Sequence, residues 1–300
     1  QAWELASEAL DESESADPQV ARRAVAAAVG LCHMAVIYSI PDDGAAERAA
    51  HRGRELAAVL GDAQAVATLW TYQGMLVVNG GRERFAEGLS LLERGLAVAR
   101  DTGLTPIVRN VSRGLGWGYM YDGRLQQALE IFGAVTDALE NSEDRERLSD
   151  LYLGARFMRD QALYYADEFT AAQTSVMATY EFCVKASNRT VQTGAAATLS
   201  LVYFMTGNYA EARRWADRCL EVAEAIGNIA FGRTAAMVAL AARLELREPV
   251  VPAGYVDIIE QGFVARGDMA LKSVLAVDVL MMAGEMQRAK NYAEVAYAHA

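Results

Sequence analysis

Apolar residues recur along this chain at spacings of three and four positions, with polar residues between them, which is the pattern of amphipathic helices. The pattern also repeats with the same residue types at the same offsets. One copy comprises Leu115, Gly116, Tyr119, Gly123, Leu125, Ala128 and Phe132, and the second comprises Leu199, Ser200, Tyr203, Gly207, Tyr209, Ala212 and Ala216. Repetition on this scale indicates stacked helical hairpins, in which each unit packs mainly on its neighbours.

Turn residues divide the chain into seven predicted hairpins. A separate helix is predicted at residues 3–10, followed by a polar connection. The hairpins cover residues 18–60, 62–102, 105–141, 146–187, 190–227, 229–267 and 269–300. Glycine, proline, aspartate and asparagine mark a turn inside each one. These turns lie at residues 41–44, 80–81, 122–123, 167–168, 207–208, 249–254 and 284.

Small residues occupy the positions where the two helices of a hairpin come closest. Gly116 and Ser200 are small on the first helix, and Ala128 and Ala212 are small on the second. On these residues the chain resembles a tetratricopeptide repeat array, most specifically in the third and fifth hairpins. It departs from that family in its turn-to-turn spacing, often about 40 residues rather than roughly 34, and in lacking the usual proline at the end of each unit.

The resemblance implies an all-α fold, a right-handed α-solenoid of about seven tetratricopeptide-like hairpins. Residues 1–300 are then a single solenoid, or a piece of a larger multidomain protein. The hairpins are long, and their last residues, for example 97–103 and 222–227, resemble the ends of repeats in two kinds of bacterial protein. These are the LuxR-type ATP-dependent regulators and the nucleotide cyclases with tetratricopeptide tails. This finer resemblance implies a role in signal transduction or transcription regulation, with flanking signalling domains.

Composition narrows the class of partner. The chain has 300 residues, 53% of them apolar, and a formal net charge of -11. An acidic protein repels an extended phosphate backbone, so no direct nucleic-acid partner is expected. Cys32, Cys183 and Cys219 lie far apart among helical apolar residues, which predicts buried thiols in a cytoplasmic protein. The histidines show no metal-ligand spacing, so neither a metal nor a cofactor is expected.

The segment 24–40 is the membrane candidate, because it is largely uncharged and resembles a signal-peptide core or a short span. It is shorter than the roughly 20 residues that a spanning helix needs. It also contains His33 and Ser39 and follows an acidic stretch. We therefore predict a buried helix of the array and no membrane partner.

Motifs for catalysis are weak or missing. Gly114, Gly116 and Gly118 resemble a dinucleotide-binding loop, but no strand precedes them. The sequence contains no phosphate loop, serine nucleophile elbow, cysteine–histidine pair or HExxH motif. The acidic residues near 143–146 fall in a polar connection, where a solvated loop is predicted. The chain is therefore predicted not to be an enzyme.

The better candidate for a site is the inner face of the solenoid, formed by the first helix of each hairpin. If Leu115 and Tyr119 are packed, a second stripe of each first helix is predicted to be open. Tyrosine, tryptophan and methionine on such a surface are typical of recognition. The candidate ligand-binding residues of this concave groove are Tyr72, Met75, Asn110, Arg113, Trp117, Tyr121, Phe157, Gln161, Tyr164 and Phe204.

Two functional hypotheses lead at this point, and an enzyme is the third and least favoured class. In the first, the groove of a noncatalytic module binds a protein or peptide segment, or an apolar small effector, and Arg113, Arg156 and Arg159 supply charge for an acidic partner. In the second, the array is a structural scaffold whose groove is filled by its own side chains or by a second copy in a homodimer. The lysine–asparagine clamp for chaperone tails is not recognisable in the sequence.

Overall fold

The computed structural model describes residues 18–38, 44–80, 82–103, 105–140, 142–143, 149–248, 276–281 and 284–299. All regular secondary structure in these residues is helical. The predicted helix at residues 3–10, residues 249–267 of the sixth predicted hairpin and residues 269–275 of the seventh lie outside the described residues.

The described helices follow the predicted hairpins closely. They are α1 (Pro18–Tyr38), α2 (Ala45–Val59), α3 (Ala63–Asn79), α4 (Phe85–Asp101), α5 (Thr105–Tyr121), α6 (Leu125–Glu140), α7 (Ser149–Tyr165), α8 (Phe169–Lys185), α9 (Arg189–Met205), α10 (Tyr209–Ile226), α11 (Ile229–Glu245) and α12 (Met286–His299). A short 3₁₀ helix precedes α4, and residues 276–281 are helical. The first five predicted hairpins are thus confirmed as the pairs α1–α2 to α9–α10.

The repeat is long. The first helices of successive hairpins begin at residues 63, 105, 149, 189 and 229, so they are 40 to 44 residues apart. Most helices of these hairpins contain about 17 residues, which is more than four turns of α-helix. The extra length over the roughly 34-residue family repeat therefore lies in longer helices.

The turns share one hydrogen-bonding scheme. Between α8 and α9, Ser187 has a left-handed φ of 56°, and the Asn188 N–H donates to the Cys183 carbonyl oxygen at 3.0 Å. The Asn188 side chain then accepts the Val191 N–H at 3.0 Å and so caps α9. One residue in the left-handed conformation ends the first helix, and the next residue caps the helix that follows. The connection between the two helices is therefore short. The same backbone bond is donated by Asp62, Arg124, Glu168, Asn208, Asn228, Glu248 and Glu285.

The chain forms two compact units, residues 1–135 and 136–300, which we call the amino-terminal and carboxy-terminal units. In the amino-terminal unit, α1 contacts α3 and α3 contacts α5, while α2 and α4 each pack between two of these first helices. In the carboxy-terminal unit, α7, α9 and α11 contact one another in the same way, with α8 and α10 between them. We call α1, α3 and α5 the amino-terminal first-helix layer, and α7, α9 and α11 the carboxy-terminal one.

The three glycines of the dinucleotide-like motif lie within α5 and face three different neighbours. A Cβ atom added to Gly114 would lie 2.4 Å from Thr71 Cγ2 of α3. One added to Gly116 would lie 2.8 Å from Phe132 Cε1 of α6, and one on Gly118 would come equally close to α4. The motif therefore serves helix packing, and the prediction that Gly116 lets the two helices of its hairpin approach is confirmed.

The membrane candidate lies almost wholly within α1, which packs one face into the unit. Ala24, Ala28, Cys32 and Val36 are fully or almost fully buried. The Cys32 thiol donates to the Ala46 carbonyl oxygen of α2 at 3.3 Å. Within the described ranges, no helix combines the length and apolar character needed to cross a bilayer. The prediction of a buried helix in the array is confirmed.

Candidate functional site

The helices of the amino-terminal first-helix layer carry positive charge and no carboxylate. α1 contains Arg22, Arg23 and His33, α3 contains no charged residue, and α5 contains Arg109 and Arg113. The carboxylates of this unit's described α-helices all lie on second helices, namely Glu47, Glu55, Glu87, Glu93, Asp101 and Glu130. Carboxylates are thus confined to the second helices of this unit, where α2 and α4 also carry arginines, and the first helices carry arginines alone.

Polar side chains connect the three helices of this layer. His33 Nδ1 of α1 lies 2.9 Å from the Tyr72 hydroxyl of α3, within hydrogen-bonding distance. Burial raises the pKa of Tyr72, and the positive charge of Arg113 on α5 acts in the opposite direction. Arg113 Nη2 in turn donates to Asn110 Oδ1 at 3.3 Å. His33, Tyr72, Arg113 and Asn110 therefore form a polar row that runs across α1, α3 and α5.

Two aromatic side chains continue this row along α5. The rings of Trp117 and Tyr121 are half-buried, and their centroids are 5.6 Å apart. Trp117 Nε1 is shielded from solvent, and it has no hydrogen-bond acceptor in the described part of the chain. A shielded donor without an acceptor costs about 1–3 kcal/mol.

In the amino-terminal unit, the structure brings most of the predicted groove residues together. Asn110, Arg113, Trp117 and Tyr121 are half-buried and share α5. Tyr72 is only 9% exposed, so the prediction of an open side chain is wrong for it, and its hydroxyl group lies against His33. The prediction is also wrong for Met75, which is 2% exposed. Its sulfur packs against Gly114 of α5, because a residue without a side chain at that position leaves room for it.

In the carboxy-terminal unit, the predicted open stripe is largely filled by the unit's own side chains. Phe157 is 4% exposed, since it lies over Gly194 of α9 and meets the Phe231 ring of α11 at 5.7 Å. Tyr164 is 6% exposed and packs against the ring of Phe169. These two residues are corrections to the prediction.

Gln161 and Phe204 remain half-buried in the same unit. The ring of Phe204 lies 5.4 Å from that of Tyr209, across the turn that joins α9 to α10. Phe204 therefore helps to close its own hairpin, and only part of its surface is open.

A buried carboxylate that the sequence analysis did not single out lies in the carboxy-terminal unit. Asp160 of α7 has no exposed surface and accepts a hydrogen bond from Ser175 of α8. Burial raises the pKa of Asp160 to about 6, although Ser175, Thr179 and Arg156 act to lower it. Arg156 also donates to the Thr179 hydroxyl oxygen at 2.9 Å. Asp160 lies on the face of α7 that packs against α8. The periodicity of the sequence could have indicated that this residue is buried.

A polar surface cavity of about 450 Å³ lies where α7 and α9 begin. Asp150, Ser187, Asn188 and Arg189 contribute to its lining. Asn188 Nδ2 donates to Asp150 Oδ1 at 3.2 Å, so these two polar side chains satisfy each other. This hydrogen bond joins the beginnings of α7 and α9.

The described residues offer little for catalysis. No group of three or more histidine, cysteine or carboxylate side chains in the described ranges is arranged to hold a metal ion. The three thiols are buried, and burial raises the pKa of Cys183 and of Cys219 to about 12. A thiol with so high a pKa is protonated at neutral pH and is a poor nucleophile. Glu143 of the acidic connection is exposed in a turn, as predicted.

Comparison with known proteins gives the fold. No family model matches the chain, and no curated protein matches it in sequence. The apo form of RapI is similar in structure, with a TM-score of 0.55 and 10% identity, over 98% of this chain and 97% of RapI. A signal transduction ATPase with numerous domains and a tetratricopeptide repeat sensor, from Pyrococcus horikoshii, has a TM-score of 0.54 and 14% identity. That match covers 94% of this chain and 40% of the ATPase. The chain is an all-α array of tetratricopeptide-like hairpins, as predicted.

Proposed function

We propose that this chain is a noncatalytic module that binds a segment of a protein or peptide on its amino-terminal first-helix layer. The observation that supports this most directly is the row formed by His33, Tyr72, Arg113 and Asn110, with the Trp117 ring beside it. These side chains come from three contacting helices and combine hydrogen-bonding groups with half-buried apolar surface. Such a combination is typical of residues that anchor a partner.

The second part of the proposal concerns the setting of this module. One similar structure belongs to a signal transduction ATPase in which the tetratricopeptide repeats are described as a sensor. This chain spans 40% of that protein's length. We propose that the chain likewise acts as a sensor in a larger bacterial regulatory protein, where partner binding alters the packing of the hairpins.

The packing of α5 on α3 suggests how binding of a partner would change the packing of the hairpins. Thr71 Cγ2 of α3 occupies the place where a side chain on Gly114 of α5 would lie, so the two helices pack closely at this point. A segment that contacts Trp117 and Tyr72 would touch both helices and bias their relative position. Stacked repeats transmit changes of this kind through many small adjustments between neighbours.

A structural role is the second candidate, and one observation favours it for the carboxy-terminal unit. Phe157 lies over Gly194 of α9 and against Phe231 of α11, so the unit's own side chains cover this part of the layer. We therefore assign the spacer or dimerisation role to the carboxy-terminal unit and the binding role to the amino-terminal unit. Multi-angle light scattering on the whole chain would detect the dimer.

The binding proposal is tested with a display library of random peptides of about twelve residues, panned against the whole chain. Enriched peptides are labelled with fluorescein, and their affinity is measured by anisotropy. Trp117→Ala is expected to weaken binding about tenfold or more, because it removes an aromatic anchor. Tyr297→Ala is the matched control, since Tyr297 is an aromatic residue that is 88% exposed on α12. Failure to enrich any peptide, or equal affinity for the parent and the Trp117→Ala variant, would contradict the proposal.

A further inference from the structure

The distribution of charge over the described helices differs sharply between first and second helices. The first helices α1, α3, α5, α7, α9 and α11 carry nine arginines against three carboxylates, Asp150, Asp160 and Glu245. The arginines are Arg22, Arg23, Arg109, Arg113, Arg156, Arg159, Arg189, Arg233 and Arg243. All three of these carboxylates lie in the carboxy-terminal unit. The second helices carry more carboxylates than basic groups, with four carboxylates on α10 alone. The chain as a whole has a net charge of -11, so a layer of three helices without any carboxylate departs from its overall acidic character.

Because α1, α3 and α5 together carry arginines and no carboxylate, we infer that the amino-terminal first-helix layer binds an acidic segment of its partner, with a carboxylate of that segment held by Arg113. The inference rests on the proposed function and specifies the chemistry of the ligand. Arg113 is half-buried, and Asn110 orients its guanidinium group through the bond to Nη2. Salt screens the charge of a half-buried guanidinium group less than that of a fully exposed one. Hydrogen bonds between a guanidinium group and a carboxylate are also among the stronger hydrogen bonds in proteins.

The groups around Arg113 suit the same ligand. Tyr72 and His33 add polar groups on the neighbouring helices. The rings of Trp117 and Tyr121 provide apolar surface for the rest of the segment. An acidic segment with apolar residues therefore fits this layer better than a basic or a purely apolar one.

A nucleic acid is the other polyanion that a row of arginines could attract. Its regularly spaced phosphates need an extended basic footprint. Here α3 carries no charge at all, and the flanking second helices α2 and α4 together carry five carboxylates and five arginines, so they add no net positive charge. The charge pattern therefore favours a peptide with a few carboxylates over a phosphate backbone.

The peptide library described above tests this inference through the composition of the enriched peptides. They are expected to contain more aspartate and glutamate than the starting library. Arg113→Gln is expected to weaken their binding about tenfold or more, because it removes a charge-assisted hydrogen bond. Arg100→Gln is the matched control, since it removes the same charge from an exposed position on the second helix α4. Raising the salt concentration from about 50 to about 300 mM should also weaken binding.

A second measurement keeps the test independent of how the variant folds. In an enriched peptide, aspartate and glutamate are replaced by asparagine and glutamine. The loss of affinity that this amide peptide shows for the unchanged protein should be about as large as the loss that the original peptide shows for the Arg113→Gln variant. Enrichment of neutral or basic peptides whose binding depends on Trp117 would overturn the acidic ligand and leave the proposed function standing. Tighter binding of a fluorescein-labelled single-stranded oligonucleotide than of any peptide would also overturn it. Absence of any enriched peptide would remove the proposed function itself.

Discussion

Phe157 of α7 lies directly over Gly194 of α9, so closely that a Cβ atom on Gly194 would come within 2.5 Å of Phe157 Cζ. The same ring meets Phe231 of α11. One side chain thus joins three first helices of the carboxy-terminal unit, and this contact is possible because Gly194 has no side chain.

Gly194→Ala is therefore expected to destabilise the protein by about 1–3 kcal/mol, since the added methyl group overpacks a rigid ring. Urea unfolding followed by circular dichroism measures the change. Gly30→Ala is the matched control, because Gly30 lies within α1 and a Cβ atom there would meet nothing within 4 Å. That variant should gain up to about 1 kcal/mol, as alanine favours the helix over glycine. Equal effects of the two variants would contradict the packing described for Phe157.

Gly114→Ala is expected to destabilise the amino-terminal unit by a similar amount, about 1–3 kcal/mol, because its Cβ atom would clash with Thr71 Cγ2. Thr71→Ser removes that methyl group and keeps the hydroxyl that donates to the Ala67 carbonyl oxygen. Combining the two substitutions should therefore recover part of the lost free energy of unfolding. A double-mutant cycle measures this coupling. Strictly additive effects would show that Gly114 and Thr71 do not meet.

Asp167→Gly is expected to stabilise the protein by about 1 kcal/mol. Asp167 ends α7 in the left-handed region with a φ of 59°, where glycine is not strained by a Cβ atom. Gly207 has the equivalent position after α9, with a φ of 76°. The reverse change, Gly207→Ala, should therefore destabilise the protein by about 1 kcal/mol. Thermal unfolding of the two variants should move the midpoint in opposite directions, and a shift of both in the same direction would argue against this turn geometry.

Asp160 should make stability depend on pH. Burial raises its pKa to about 6, above the unfolded value near 3.9. The folded state therefore binds this proton more tightly than the unfolded state. The resulting stabilisation is complete below about pH 3.9 and is lost as the pH rises through about 6. The whole difference amounts to roughly 3 kcal/mol.

Asp160→Asn should accordingly flatten the pH dependence of the free energy of unfolding between about pH 4.5 and pH 7.5. It should also stabilise the protein at neutral pH, because no charge is buried and the oxygen of the new amide can still accept from Ser175. Urea unfolding at several pH values measures the difference between parent and variant. Asp137→Asn, which alters an exposed carboxylate on α6, is the control. Parallel pH profiles for the parent and Asp160→Asn would show that this carboxylate is not desolvated in the folded state.

Local sequence signals were sufficient for the helices and turns of the described hairpins. The asparagines at 188, 208 and 228 accept N–H groups of the helices that follow them, and the residue before each one is left-handed. Both features depend on neighbours within five residues, so they can be recognised without knowledge of the fold. The same holds for the packing role of Gly116, because its partner Phe132 belongs to the same hairpin.

The candidate site was predicted less completely. The periodicity of α5 placed Arg113, Trp117 and Tyr121 on one stripe, and they do lie together. It could not show that His33 of α1 would meet Tyr72, since 39 positions separate them. Tyr72, Met75, Phe157 and Tyr164 were predicted to be open because helical spacing distinguishes faces and does not indicate what covers each face.

The sequence by itself determined that the described part of the chain forms helical hairpins, where their turns lie, and that Gly116 lets the two helices of its hairpin approach. These properties follow from periodicity, capping and backbone conformation within one hairpin. Only the tertiary structure decided which side chains of the first helices remain accessible. That depends on contacts between helices about 40 residues apart, where a glycine such as Gly114 or Gly194 determines whether a neighbouring side chain is buried.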